Sequence, residues 1–247
     1  VEPRNQRRRG LWVGGGPLRL SDPEPLLPGA HQVDQGPLGR LIYEPTPRQR
    51  IFHLSGSKYR LYGGAAGGGK SHALRIELVR AASFVPRFPC LLLRESFPEL
   101  QQHITRFRED IPSELYRWNE REKLATFYRS GSSLRFGYTS GEGDLQRFQT
   151  DEYGAIAFDE LTHFTHYQWA FMRSRNRTTS GYRSWMAGAT NPGGKGHQWV
   201  KSLWIDKLPI IDAVSGRPLP YRPELYEFIP AKLSDNPHLD KKDPEYR

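Results

Sequence analysis

Gly64-Ala65-Ala66-Gly67-Gly68-Gly69-Lys70-Ser71 follows a strand-like run, Tyr59-Arg60-Leu61-Tyr62, and precedes a stretch with Leu74, Leu78 and Ala81/Ala82 at helical spacing. The octet is a complete G-x-x-x-x-G-K-[ST] phosphate loop, and strand and helix flank it as the motif requires. Glycines let backbone N–H groups curl around a β-phosphate with no Cβ in the way. Lys70 is placed to reach the β- and γ-phosphates, and the Ser71 hydroxyl to hold Mg²⁺. The helix that follows adds the partial positive charge of its N-terminus. The alternative is a flexible glycine-rich turn, which explains neither flank. A nucleoside triphosphate is the expected ligand.

The rest of the composition narrows the class. At 247 residues the chain has room for one α/β domain with extra segments. Mean hydropathy is −0.70, and no run approaches the roughly 18 apolar residues of a membrane span, so no membrane role is expected. The start, Val1-Glu2-Pro3-Arg4, has neither an initiating Met nor an apolar leader core, which reads as a fragment or processed chain. One cysteine, Cys90, sits in the apolar run Phe88–Leu93; no internal disulfide is possible, and a reducing, intracellular setting fits. A catalytic thiol is the sharper alternative to a small buried hydrophobe. Thirty-six Lys and Arg give a net charge of +9, which favours a polyanionic partner, nucleic acid first.

Residues 1–40 differ from the remainder. Arg4, Arg7, Arg8 and Arg9 cluster before Gly- and Pro-rich sequence without sustained apolar periodicity. This predicts an extended basic arm, either touching a partner or simply solvated. From Leu41 onward the pattern becomes α/β. Strands are predicted at Tyr59–Tyr62, Cys90–Arg94, Ser133–Tyr138, Ala155–Phe158 and Ser184–Ala189, with helices around 70–84, 97–108, 165–176 and 196–206. The alternation argues for a P-loop NTPase fold, a largely parallel central sheet with helices on both faces. Ala125–Arg129 and Ser133–Tyr138, joined by Ser130-Gly131-Ser132, read as an inserted β-hairpin. The proline-rich last forty residues are expected to wrap the domain or lead onward.

A phosphate loop needs an acidic partner. Gly154-Ala155-Ile156-Ala157-Phe158-Asp159-Glu160 ends a buried strand on two carboxylates, at the edge where open α/β sheets present ligands. Asp159 is expected to bind Mg²⁺ through water, and Glu160 to orient or deprotonate the attacking water. That pairing marks a hydrolase more than a kinase.

Together these motifs resemble the ATPase domain of the large terminase subunit, the DNA-packaging motor of tailed bacteriophages, from about Tyr43 to the C-terminus. Tyr43-Glu44-Pro45-Thr46-Pro47-Arg48-Gln49 is similar to the family's adenine-reading segment, with Gln49 on the adenine edge and Tyr43 or Arg48 stacked on the ring. A proline-stiffened entry to a helix reads equally well. Leu91-Leu92-Leu93-Arg94 resembles the second strand with its terminal arginine. Asp144–Gln149 holds Arg147, the candidate finger for the γ-phosphate of a neighbouring subunit; a surface or DNA contact is the other reading. Ala189-Thr190-Asn191-Pro192-Gly193-Gly194 resembles the coupling motif, with Thr190 and Asn191 sensing the γ-phosphate, and is also a strong turn signal. Ser234–Leu239 is similar to a segment that closes the domain.

The resemblance implies ATP and Mg²⁺ as cofactors and double-stranded DNA, portal and small terminase subunit as partners. It also implies a homo-oligomeric ring when assembled, with a monomer as the alternative for the isolated domain, in the host cytoplasm. Arg173–Arg177 and Lys195–Lys201 are candidate DNA contacts or ordinary exposed faces. The family's nuclease domain has no counterpart before Arg247, so residues 41–247 are expected to be an ATPase domain without nuclease activity. The scattered histidines, His163 and His166 included, give no zinc pattern. Two other readings stay open: a helicase-like remodelling ATPase, and a nucleotide-dependent assembly switch. A small-molecule kinase lacks an acceptor-site signature.

Overall fold

The computed structural model describes residues 18–19, 42–64 and 67–231. The arm over 1–40 lies outside the described residues except for Leu18–Arg19 (β1), which pairs antiparallel with Ile42–Tyr43 (β2). Ala65, Ala66 and the Ser234–Leu239 segment also lie outside them.

Cys90–Arg94 (β4) and Ala155–Asp159 (β8) are short apolar runs buried almost throughout, as strands covered on both faces must be. They lie parallel and adjacent, with Cys90 opposite Ala155 and Leu93 opposite Phe158. Trp185–Thr190 (β9) joins β8 on its other side, and Tyr59–Gly64 (β3) follows β9. Ser133–Tyr138 (β7) extends the sheet beyond β4. All these contacts are parallel, with Lys70–Phe84 (α2) crossing from β3 to β4 and Phe97–Asp110 (α3) following β4.

Side chains alternate between the faces with the period of two that strands impose. Leu92, Ala155, Ala157, Ala187 and Ala189 face the cluster that contains α2, and the alanines let that helix lie close. Leu61, Leu91, Leu93, Ile156, Phe158 and Met186 face the other cluster, where Trp169 of His166–Arg175 (α4) and Trp204 fill the space. The molecule is a P-loop NTPase-like α/β sandwich.

Three expectations are refined. The expected hairpin forms between Leu124–Phe127 (β6) and β7, and Tyr116–Asn119 (β5) pairs with β6 to make it a three-stranded antiparallel meander. The hairpin's first strand therefore ends at Phe127, before Arg129. The single helix over 196–206 is a short α-helix, His197–Lys201 (α5), running into a π-turn over Ser202–Asp206. Within the proline-rich tail, Tyr226–Ala231 (β10) is a full parallel edge strand against β3 rather than a wrap. Pro230 is tolerated there because an edge strand has a side that needs no ladder donor. The eight-stranded order is β10-β3-β9-β8-β4-β7-β6-β5. No helix among the described residues is long and apolar enough to cross a membrane.

Candidate nucleotide site at the sheet edge

The order β3-β9-β8 brings three chain reversals side by side at the C-terminal edge. Gly63 lies opposite Thr190, and Asp159 opposite Ala189. The glycine loop, the Thr190-Asn191 turn and the Asp159-Glu160 pair therefore emerge together, although far apart in sequence.

Gly69 precedes α2 with φ 69°, a left-handed conformation open to glycine at little cost. From the first turn of α2, Lys70 Nζ donates to Asn191 Oδ1 at 2.8 Å, and Asn191 Nδ2 donates to Glu160 Oε1 at 2.9 Å. The Asn191 backbone N–H reaches Glu160 Oε2 at 3.2 Å. Burial pulls the Lys70 ammonium below its ordinary range, and Glu160 and Asp159 oppose that pull. Glu160 itself sits at φ 55° and ψ 58°, outside β8, in a conformation non-glycine residues rarely adopt.

Ser71 Oγ donates to Asp159 Oδ1 at 2.8 Å. The other carboxylate oxygen, Oδ2, lies 2.8 Å from His103 Nε2 and 3.1 Å from Arg94 Nη1. Burial works to raise the Asp159 carboxyl, but His103, Arg94 and Ser71 outweigh it and hold it below the usual carboxylate range. Behind Asn191, Thr190 Oγ1 lies 2.8 Å from Thr162 Oγ1 and accepts from the Thr162 backbone N–H at 3.3 Å.

The adenine-segment residues take other positions than the loop's edge alone would suggest. Thr46 caps Pro47–Leu54 (α1), with Gln49 Oε1 accepting from the Thr46 N–H at 2.9 Å. Gln49 Nε2 donates to the Gly69 carbonyl at 3.0 Å, so both ends of its amide are engaged. Tyr43 is buried, its hydroxyl 3.0 Å from His53 Nε2, and Arg48 is half-buried on α1. Arg94 also lies 3.4 Å from Glu99. Arg147 stands apart, half-exposed on the 3₁₀ segment Glu142–Phe148, paired with Asp144 at 2.9 Å and lying over the Tyr138 ring. It borders a cleft of about 360 Å³ whose other cations are Arg121, Lys123 and Arg135.

The structure thus brings together Gly67, Gly68, Gly69, Lys70, Ser71, Asp159, Glu160, Thr190, Asn191 and Arg94, with Gln49 at the loop's flank. Sequence reasoning missed His103 and Thr162. His103 had a faint signal, a lone polar residue on the apolar face Leu100, Ile104, Phe107.

The family model "Terminase large subunit, T4likevirus-type, N-terminal" matches residues 61–247, from β3 through the whole site. The chain belongs to this family. Among solved structures, the large terminase of a thermophilic bacteriophage in complex with ADP superposes with a TM-score of 0.63 at 16% identity, over 80% of this chain and 48% of that one. The ATPase domain of the Thermus phage P74-26 large terminase gives 0.59 at 16% identity, over 81% of this chain and 86% of that one. The HK97 bacteriophage large terminase gives 0.50 at 10% identity, over 62% and 34%. A search of curated proteins returned no match. This terminase chain thus spans about half the length of the first of these large terminases and most of the isolated ATPase domain.

Proposed function

We propose that this terminase chain is an ATP-hydrolysing motor domain that couples hydrolysis to translocation of double-stranded DNA into a procapsid. The observation that carries the reading is the continuous chain Lys70–Asn191–Glu160 beside the Ser71–Asp159 pair. It links the residue that grips phosphate, the residue that senses it and the carboxylate that serves the lytic water.

A γ-phosphate entering the loop competes with Asn191 for Lys70. Asn191 is then free to turn toward phosphate or water, and Glu160 loses one of its partners. Glu160 takes the proton of the attacking water as the new P–O bond forms and the β–γ bridge breaks, with ADP leaving. Ser71 Oγ and Asp159 Oδ1 are hard oxygen donors 2.8 Å apart, a set suited to Mg²⁺ shared with phosphate oxygens. Among the described residues no cluster of three or more His, Cys, Asp or Glu is arranged to hold a metal alone, which fits a cation bound jointly with nucleotide. Bound there, Mg²⁺ supplies charge neutralisation on the β- and γ-phosphate oxygens.

The nucleotide complex of the similar large terminase supports ATP as ligand. The net charge of +9 supports a DNA partner gripped by its phosphates. Family membership supports portal and small terminase as partners, a ring as the working assembly and the host cytoplasm as its place. The test is steady-state ATP hydrolysis of the native chain and Glu160→Ala over a range of protein concentrations. A rate that rises more than linearly with concentration and collapses in Glu160→Ala is expected. Equal rates in the two proteins would overturn the assignment of Glu160 and the motor built on it.

A further inference from the structure

We propose that His103 is a positioning residue for the metal-binding carboxylate, dedicating one oxygen of Asp159 to the cation site; this rests on the nucleotide reading above. α3 buries Leu100, Ile104 and Phe107 in the core, and His103 shares that face, only 6% exposed. An imidazole buried on an apolar face is costly unless it finds a partner. His103 finds one, in the carboxylate at the end of β8.

The geometry fixes the direction of the bond. An ionised carboxylate only accepts, so His103 Nε2 carries the proton that lies between them. His103 Nδ1 is buried with no hydrogen-bond partner, so no second contact competes for the orientation of the ring. Arg94 Nη1 approaches the same oxygen from the end of β4 at 3.1 Å. His103 thus donates to Oδ2, the Arg94 guanidinium lies against the same oxygen as an ion pair, and the Ser71 hydroxyl falls on Oδ1.

A carboxylate free to rotate presents either oxygen, or both, to a cation. Asp159 is held from three sides, so only Oδ1 faces the Ser71 side of the loop. Mg²⁺ demands near-ideal octahedral geometry and tolerates a misplaced ligand poorly. Outer partners that orient a metal ligand are typically worth 10- to 100-fold in metal affinity. Packing alone does not explain a histidine here, because leucine would satisfy the apolar face without a donor.

The experiment is binding of a fluorescent ATP analogue, titrated with Mg²⁺ and repeated in EDTA, for native chain, His103→Leu and His103→Gln. His103→Leu fills the space without a donor; His103→Gln keeps an N–H near the position of Nε2. The expected result is a Mg²⁺ half-effect concentration raised about tenfold or more in His103→Leu, EDTA affinity unchanged, and near-native behaviour in His103→Gln. A His103→Leu protein with native Mg²⁺ dependence overturns the proposal. So does an equal loss of affinity with and without Mg²⁺, which would mark a purely structural residue. Native chain that binds no nucleotide under either condition sinks the nucleotide reading itself, a distinguishable failure.

Discussion

At the scale of single residues, the site spends backbone strain where chemistry is placed. Glu160 occupies the left-handed region at φ 55°, a conformation that costs a non-glycine residue about 1–2 kcal/mol. Glu160→Ala and Glu160→Gly lose the same two contacts to Asn191 and should be equally inactive. Yet Glu160→Gly should be about 1 kcal/mol more stable than Glu160→Ala in urea unfolding, reversing the usual order of the two residues. A second residue-scale feature lies behind the loop. Glu77 is fully buried between Arg60 at 3.1 Å, His53 at 2.7 Å and Arg80 at 3.5 Å. Burial works to raise its carboxyl, but Arg60, His53 and Arg80 prevail and bring it down to about 2 from 4.5. Burial lowers His53 below its ordinary 6.5 despite Glu77. Both shifts mean that the unfolded chain takes up protons first as pH falls. Thermal stability should therefore decline below pH 6.5 through His53, and again from 4.5 toward 2 through Glu77. Glu77→Gln leaves two buried guanidinium groups without their carboxylate, and should cost about 3–5 kcal/mol in urea unfolding at neutral pH. A flat stability profile from pH 8 down to about 3 would contradict this linkage.

At the scale of elements, the loops at the sheet's edge are clipped to one another. Glu95, just past β4, takes Lys195 Nζ at 2.6 Å and His163 Nδ1 at 3.5 Å, joining the turns after β9 and β8. On the other flank β3 and β10 run in register from Tyr59 opposite Tyr226 to Gly64 opposite Ala231. A Cβ on Gly64 would lie 2.0 Å from the Ala231 carbonyl oxygen, and its φ is +138°. Gly64→Ala should therefore part the two strands, cost about 2–3 kcal/mol in urea unfolding and weaken nucleotide binding through the shifted loop. Native stability in that variant would show that the close approach relaxes freely. Such pairings explain what the sequence did and did not reveal. β4, β7 and β8 were legible because each is a short apolar or alternating run bounded by turn residues. The loop and its acidic partner were legible because their residue types have one shared chemistry. β5, Tyr116-Arg117-Trp118-Asn119, alternates over only four residues, too short to stand out as a strand, and Pro230 disguised β10. His103 was hidden for a different reason: its meaning is a contact between α3 and β8, and a lone polar residue on an apolar face is its one local trace. Gln49 was read for the base it could face, while its amide spans the α1 cap and the loop.

At the scale of the whole molecule, the separation of Arg147 from the loop bears on assembly. Its partners are Asp144 and Tyr138, and none of the residues lining the neighbouring cleft belongs to the phosphate loop. As a finger acting across a subunit boundary, Arg147 would have to leave these partners for the γ-phosphate of a neighbouring copy. Arg147→Ala should then hydrolyse ATP poorly alone, as should Glu160→Ala. Mixing the two should restore part of the native rate, because some boundaries pair an intact Arg147 with an intact Glu160. No recovery at any mixing ratio would remove Arg147 from the role and return it to the surface. The pairing of β10 with β3 has one more consequence, and it is mechanical. The six paired residues of β10 end at Ala231, directly beside the first glycine of the phosphate loop. Tension applied to the chain after Ala231 loads the two parallel strands in shear, along the line that holds Gly64 in place. A pull on the polypeptide downstream would thus reach the loop that would grip phosphate, and load and nucleotide state would register on the same short stretch of backbone.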